Sequence, residues 1–343
     1  MKTWKKAGLT ALAGSLVATS AFSGAMTVSG TANLTYTGNT GAQDTGSAGI
    51  AATGVDGNRW GINQSLSFAG SGEMDNGWTV SVSNTLINGS TSGLGMTLDM
   101  GDAGSLNYEA STGARGIGKI KDMLPTADED AANSLDSNGT TAGGTVSGTV
   151  AAGTTGFHYS KAMDMVEIGV GYAPKGVAAN TAGSGGMSGL GAAASATSAF
   201  IKVDPMDGLE IGFGVGEYTA AAGGDTEQTD DVDTMYVSYV YGPVTVAYQV
   251  SNTDTNDSDV ATADDEQTKW GVLYAVNDEM SISYGEIENE KSTVSVDEKA
   301  TGVSISYTVG SMTFKAHRNK GENLTNTVAN ESEHTELGVT FAF

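Results

Sequence analysis

Residues 209–216 read LEIGFGVG, and a large apolar side chain occupies every second position of this stretch. The same alternation of apolar with small or polar residues recurs at 244–250, VTVAYQV, and at 303–309, VSISYTV. Successive side chains of a β-strand point to opposite faces, so each stretch predicts a strand with one apolar and one small, polar face. Helical spacing is almost absent after residue 25, which predicts an all-β fold.

Sixteen segments of this kind follow one another along the chain, and their connections alternate in length. After even-numbered strands the connections are short turn sequences, such as DNG at 75–77 and GS at 310–311. After odd-numbered strands they are mostly long, from about six residues at 88–93 to about 43 residues at 111–153. Tight turns on one side and long loops on the other predict an antiparallel up-and-down meander.

The chemistry of the minor face favours a transmembrane barrel of about 16 strands over a soluble sandwich. That face is built of Gly, Ser, Thr, Ala, Asn and Gln with scattered charges, as a water-filled lumen requires, while the apolar face suits lipid. Aromatic residues such as Trp60, Trp78, Trp270 and Tyr307 gather near strand ends and indicate interfacial girdles. A secreted soluble β-sandwich, with its apolar faces inside, remains the alternative.

Composition excludes several other classes of protein. Lys and Arg number 16 against 40 Asp and Glu, so the formal net charge is −24, the wrong sign for a nucleic-acid partner. The absence of cysteine excludes disulfide scaffolds and thiolate chemistry. The chain has three histidines, His158, His317 and His334, that could act as the base of a nucleophile triad. None lies in a Gly-x-Ser-x-Gly context, so we expect no enzyme.

The first 25 residues have the features of a secretory signal peptide. A basic start with Lys2, Lys5 and Lys6 precedes an uncharged stretch of small and apolar residues, and Ala25 offers a cleavage site. We expect the chain to divide into a signal peptide, 1–25, and a barrel, 26–343, whose net charge is about −27 once those three lysines are removed. An N-terminal membrane anchor is the alternative.

The last strand strengthens the barrel hypothesis, because Leu337, Val339, Phe341 and Phe343 alternate up to the final aromatic residue. With the leader, the sixteen strands and the long loops, the chain resembles the Gram-negative general-diffusion porins over its whole mature length. The resemblance implies an outer-membrane homotrimer with short periplasmic turns and long extracellular loops. It also implies contacts with lipids and lipopolysaccharide, and recognition of Phe341 and Phe343 by the barrel-assembly machinery.

The longest connection, 111–153, follows the fifth strand, and the resemblance implies that this third loop folds into the lumen as a constriction loop. The family's aromatic–Gly motif is absent from it. Its charged residues are the candidate constriction residues: Arg115, Lys119, Lys121, Asp122, Asp128, Glu129, Asp130 and Asp136. The alternative is a solvated acidic loop outside the barrel.

Counting from apolar neighbours assigns a second set of charged residues to the lumen wall. These are Arg59, Asp99, Glu109, Lys202, Glu210, Lys269, Lys315 and His317. Acids on the loop facing bases on the wall would set selectivity without binding chemistry, although single inward charges also occur as simple hydration of a wall. We expect passive diffusion of small hydrophilic solutes with a preference for cations. A structural or adhesive barrel that acts through its surface loops is the alternative function.

No cofactor or metal site is expected from the motifs. The densest acidic run, from Asp254 through Asp257, Asp259, Asp264 and Asp265 to Glu266, lacks the Gly and final Glu of a calcium loop. A weak Ca²⁺ or Mg²⁺ site at these acidic loops is the alternative to a solvated loop.

Overall fold

The computed structural model describes residues 26–41, 59–110, 116–135, 156–174, 195–221, 227–256, 264–293 and 296–343, which form a closed sixteen-stranded barrel. The strands are β1 (Met26–Gly41), β2 (Trp60–Glu73), β3 (Thr79–Ile87), β4 (Ser90–Asp99), β5 (Ser105–Ala110), β6 (Gly156–Met163), β7 (Val166–Ala173), β8 (Ser195–Met206), β9 (Leu209–Ala221), β10 (Glu227–Tyr241), β11 (Val244–Asn256), β12 (Asp265–Ala275), β13 (Met280–Lys291), β14 (Glu298–Val309), β15 (Met312–Glu322) and β16 (Ser332–Ala342). Each strand pairs antiparallel with its neighbours in sequence. The predicted all-β, up-and-down barrel is therefore confirmed.

Closure joins β1 to β16, with Leu34 opposite Val339 and Thr31 opposite Ala342. The Gly30 N–H donates to the Phe343 carbonyl oxygen at 2.8 Å, and the Phe343 N–H donates to the Gly30 carbonyl oxygen at 3.0 Å. A Cβ on Gly30 would lie 2.8 Å from the Phe343 ring, so glycine provides the space for that ring. Closure leaves no unpaired strand edge, which a lipid environment requires.

The strands extend further towards the long loops than the apolar alternation predicts. β10 begins at Glu227 rather than near 232, and β11 reaches Asn256 rather than 251. Asp231 and Asp254 are consequently paired across these two strands, although the sequence assigned both to loops. Backbone hydrogen bonds hold the ladder together, so pairing continues where side chains become acidic.

The connection after the third strand is shorter than expected. Instead of a loop over 88–93, the structure has a two-residue turn at Asn88 and Gly89, with φ of 50° and 83°. Asn-Gly tolerates positive φ at both positions and therefore forms the tight hairpin turn that matches strand twist. Residues 90–93 belong to β4, and the register of the β3–β4 pair shifts at Ser92, opposite Thr85 and Leu86.

The two faces of the sheet differ as the sequence predicts. On β9 the side chains of Phe213 and Val215 are exposed on the outer face, whereas Gly212 and Gly214, which alternate with them, are buried on the inner face. Ile62 on β2 is 79% exposed. Among the described residues, no helix is both long and apolar enough to cross a membrane.

Two apolar clusters lie inside the barrel, and both include residues of 116–135. The first joins Ile117 and Ile120 to Phe200 and Tyr236 on the wall. The second joins Ala131, Ala132 and Leu135 to Ile287, Ala300 and Leu324. This segment, called the inner segment below, therefore packs against the inner face, and the expected inward fold of the third loop is confirmed for these residues.

Candidate functional site

The inner segment crosses the interior of the barrel and meets a succession of strands in order. Its backbone bonds to side chains on β6, β8, β11, β12, β13, β14 and β15 in turn. The bonded wall residues are His158, Ser198, Gln249, Lys269, Ser283, Ser304 and Asn319. Polar residues of the inner face therefore bond to the segment along its length.

The first half of the inner segment is held mainly by apolar contacts. Gly116–Ile120 forms a short 3₁₀-helix, and the side chains of Ile117 and Ile120 are fully buried. A Cβ on Gly214 would lie 2.8 Å from Ile117 Cγ1, so the bare glycine allows the close approach. Gly214 on the inner face therefore leaves the space into which the side chains of Ile117 and Ile120 pack.

Two wall residues bind the backbone at the middle of the segment. The Gln249 amide accepts a hydrogen bond from the Met123 N–H at 3.0 Å and donates to the Ile120 carbonyl oxygen at 2.7 Å. Lys269 Nζ donates to the Lys121 carbonyl oxygen at 2.9 Å and lies 3.6 Å from Asp122 Oδ1. Lys269 is fully buried, so this wall cation holds the segment rather than facing solute.

The second half of the segment rests on serine and asparagine side chains. The N–H groups of Ala127 and Asp128 donate to Ser283 Oγ at 2.9 Å and Ser304 Oγ at 3.1 Å. Asn319 Nδ2 donates to the carbonyl oxygens of Asp130 at 3.0 Å and Asn133 at 2.9 Å. These bonds supply the partners that a loop backbone lacks when it leaves water.

Asp128 joins the segment to two basic side chains on β15. Its Oδ1 lies 2.7 Å from Lys315 Nζ, and its Oδ2 lies 3.0 Å from His317 Nδ1. Burial by itself would raise the pKa of Asp128, but the hydrogen bonds from His317 and Lys315 outweigh it and hold the pKa below its ordinary value. Asp128 is therefore ionised at neutral pH.

The neighbouring acids differ from Asp128 in environment. Burial raises the pKa of Asp130, and the hydrogen bond that Oδ1 accepts from the Ala132 N–H at 2.7 Å only partly opposes this. Glu129 is exposed and accepts a hydrogen bond from Asn133 Nδ2 at 3.2 Å. The three consecutive acids thus include one ion-paired, one exposed and one half-buried carboxyl group.

A second charged cluster lies on the inner face towards the short turns. Lys202 Nζ is 3.0 Å from Glu167 Oε2 and 3.6 Å from Glu210 Oε2. The Tyr236 hydroxyl donates to Glu210 Oε1 at 2.6 Å. Lys202 and Glu210 were expected on the wall, while Glu167 and Tyr236 were not singled out, although the same alternation assigns both to the inner face.

The remaining predicted residues are dispersed. Lys119 is exposed on the inner segment, and Arg59 lies just before β2, where its carbonyl oxygen accepts from the Thr37 N–H. Asp99 is at the short-turn end, where Oδ1 accepts from the Gly101 N–H at 2.9 Å. Arg115, Asp136, the side chain of Glu109 and the predicted signal peptide, 1–25, lie outside the described residues.

The acidic run near the long loops lines a depression of about 490 Å³ at the loop-side end of β10 to β13. Its walls include Asp254, Asp264, Asp265 and Glu266, and Lys291 lies 3.7 Å from Asp265 Oδ1. Asp257 and Asp259 lie outside the described residues. A weak divalent site here stays a prediction.

Sequence reasoning missed the importance of His334 and Glu336 on β16. Both lie on the inner face, where Glu336 is directly opposite His317 across the β15–β16 pair. The alternation that starts from Leu337 and Val339 would have assigned them to the lumen. What it could not show is that His317, His334 and Glu336 come together.

Comparison with known proteins agrees with this architecture. The family model described as Gram-negative porin matches residues 7–343. The chain belongs to the Gram-negative porin family. No curated protein sequence matches it. With its closed barrel and apolar outer face, this porin is an outer-membrane channel protein.

Several solved structures share the fold of this porin at low sequence identity. A porin refined at 1.8 Å is 13% identical with a TM-score of 0.65, and the match covers 93% of this chain and 100% of that one. The anion-selective porin from Comamonas acidovorans is 11% identical with a TM-score of 0.64, covering 93% and 99%. OmpT of Vibrio cholerae in its trimer form is 11% identical with a TM-score of 0.63, covering 94% and 100%.

Proposed function

We propose that this porin is a passive channel for small hydrophilic solutes, that it prefers cations, and that the inner segment lines its narrowest level. The observation that supports this most directly is the ion pairing of Asp128 with Lys315 and His317. This ion pairing holds the inner segment, with its charged side chains, across the lumen. A passing solute must therefore meet these charges. The arrangement offers a charged passage.

The preference for cations is supported by the net charge of the chain and by the exposed carboxylate of Glu129. Residues 116–135 contain four carboxylates, Asp122, Asp128, Glu129 and Asp130, and two lysines. The wall lysines Lys269 and Lys315 contact Asp122 and Asp128, so the lysines balance the acids within this cluster. Across the whole chain Asp and Glu exceed Lys and Arg by 24, and a narrow, low-dielectric passage through a negatively charged protein concentrates cations and repels anions.

The fold alone does not determine this preference. A porin of the same fold from Comamonas acidovorans is anion-selective. Selectivity therefore depends on the charges of the inner face and not on the fold.

Reversal potentials in a salt gradient across planar bilayers test the proposal. The wild-type protein should pass cations in preference to anions, and Glu129→Gln should lower the cation-to-anion permeability ratio because it removes an exposed carboxylate beside the passage. Glu333→Gln is the matched control, since it removes the same charge from the outer face of β16, where Glu333 accepts a hydrogen bond from Arg318 at 2.8 Å.

Three outcomes are informative. Anion selectivity of the wild type contradicts the cation preference but leaves the channel intact. An equal shift from Glu333→Gln would mean that surface charge, not the inner segment, sets the ratio. Absence of conductance in a folded barrel would favour the structural or adhesive alternative.

The mature protein, on this proposal, begins at Met26 and assembles as a homotrimer amid lipid and lipopolysaccharide after insertion by the barrel-assembly machinery. OmpT of Vibrio cholerae has a trimer form with this fold. An apolar depression of about 570 Å³ on the outer face, lined by Leu34, Trp60 and Phe314 among others, offers surface for lipid or for another subunit. N-terminal sequencing and the mass of the detergent-solubilised protein check these two points.

A further inference from the structure

We propose that His317, His334 and Glu336 form a binding site for a divalent transition-metal ion of the Zn²⁺ type inside the barrel. One ligand atom from each of the three residues lies within 4.8 Å of the others. A tetrahedral Zn²⁺ with bonds of about 2.0–2.1 Å holds its ligands about 3.4 Å apart. Small side-chain rotations therefore suffice to close the site.

The strand register is the reason that these side chains meet. Glu336 lies opposite His317, and His334 lies two residues before Glu336 on the same face of β16. The imidazole rings of His317 and His334 are 5.3 Å apart at an interplanar angle of 28°. Two rigid neighbouring strands thus carry all three ligands, which fixes them better than a loop would.

The hydrogen bonding of His317 leaves its other nitrogen suited to a metal. The carboxylate of Asp128 faces His317 Nδ1 at 3.0 Å, so Nε2 is the nitrogen left for a metal. Among the described residues, this Nε2 atom is buried and has no hydrogen-bond partner. A metal-binding histidine commonly donates a hydrogen bond from its other ring nitrogen to a carboxylate, and this hydrogen bond orients the ring.

The donor set favours a transition metal over calcium. Imidazole nitrogens suit Zn²⁺, Cu²⁺ and Ni²⁺, whereas Ca²⁺ prefers an all-oxygen shell of six to eight ligands. Two histidines and one carboxylate leave the fourth position of a tetrahedral ion for water or a solute. The acidic depression near Asp264 has the opposite character, since it offers oxygen ligands alone.

Isothermal titration of ZnCl₂ into the purified full-length protein in detergent, at neutral pH with excess CaCl₂, tests the site. One Zn²⁺ should bind per chain, and His334→Gln and Glu336→Gln should each weaken binding at least about tenfold because each removes a ligand. Glu333→Gln is the matched control on the outer face of the same strand and should bind as the wild type does. Heat-modifiable gel migration checks that each variant is a folded barrel.

Three results would overturn the proposal: no stoichiometric Zn²⁺ binding to the wild type, unchanged affinity in both ligand variants, or complete displacement of Zn²⁺ by Ca²⁺. The binding measurement does not depend on conduction, so its failure is distinguishable from failure of the proposed channel. If the channel conducts, Zn²⁺ should also lower the cation-to-anion permeability ratio in the wild type and not in Glu336→Gln, because the ion adds positive charge beside Asp128.

Discussion

The two halves of the inner segment are fixed to the same wall by different physics. Ile117 and Ile120 are buried against apolar wall residues, a contact that pH and salt hardly change. Asp128 is tied to Lys315 and His317 by charge-assisted hydrogen bonds, which depend on both. The difference indicates that the two halves have different roles. The apolar half anchors the inner segment to the wall by packing, and the polar half supplies the charges that meet a solute.

The largest effect should come from the apolar half. Ile117→Ala removes a fully buried side chain and leaves a cavity between segment and wall, at a cost of about 2–5 kcal/mol in the free energy of unfolding. Urea unfolding of the detergent-solubilised protein measures it.

The control for this substitution is Ile62→Ala on the outer face of β2. Its side chain is 79% exposed and has few protein neighbours, so we expect a cost of about 1 kcal/mol or less. Equal costs at the two positions would contradict the anchoring role of the apolar half.

A substitution in the polar half should cause a smaller loss in the free energy of unfolding. Asp128→Asn keeps the shape of the side chain but weakens the bonds to Lys315 and His317, which should cost about 1–3 kcal/mol at neutral pH. The same unfolding measurement applies, with Asp102→Asn as control, because Asp102 is exposed on the short 3₁₀-helix Gly101–Ala103. A control variant as destabilised as Asp128→Asn would show that loss of any acid, not of this ion pair, is responsible.

The smallest expected effect is a pH dependence of stability, which differs between Asp128 and Asp130 because their pKa values are shifted in opposite directions. The pKa of Asp128 is below its ordinary 3.8, so its stabilisation is present above pH 3.8 and is lost as pH falls through the lower, folded value. The pKa of Asp130 is above 3.8, so its ionisation costs stability at neutral pH, and that cost fades as pH falls towards 3.8. Asp130→Asn should therefore raise the melting temperature slightly at neutral pH.

Melting curves followed by circular dichroism between neutral pH and pH 3.8 check the sign. The gain in Asp130→Asn should shrink across this range, while the deficit of Asp128→Asn should persist. A pH-independent gain in Asp130→Asn would mean that the half-buried carboxyl group is not the cause.

Much of the fold was predictable because a barrel strand is encoded locally. The alternation at Leu209 to Val215 identifies both a strand and its faces, and every predicted strand overlaps one in the structure. Where the pattern loses apolar residues it fails, as at Asp231 and Asp254, which are nevertheless paired in the ladder. The Asn88–Gly89 turn was missed because the strand after it begins with small polar residues.

Less of the site was predictable. Alternation assigned Lys315 and His317 to the inner face, and composition marked Asp128, but nothing in the sequence pairs them, because they are nearly 190 residues apart. Lys269 was expected to line the lumen with its charge, yet it is buried beneath Lys121 and Asp122. His334 and Glu336 were overlooked because each is unremarkable without its neighbour across the strand pair.

The sequence by itself therefore determined the class of the molecule: an all-β barrel with an apolar exterior and a polar interior, since a period of two depends only on neighbouring residues. Tertiary structure alone decided the path of the inner segment, the partners of its acids and the meeting of His317 with His334 and Glu336. The segment contacts wall strands that are far from it in the chain, and the register of β15 with β16 places His317 beside His334 and Glu336, so neither set of contacts follows from a pattern of neighbouring residues.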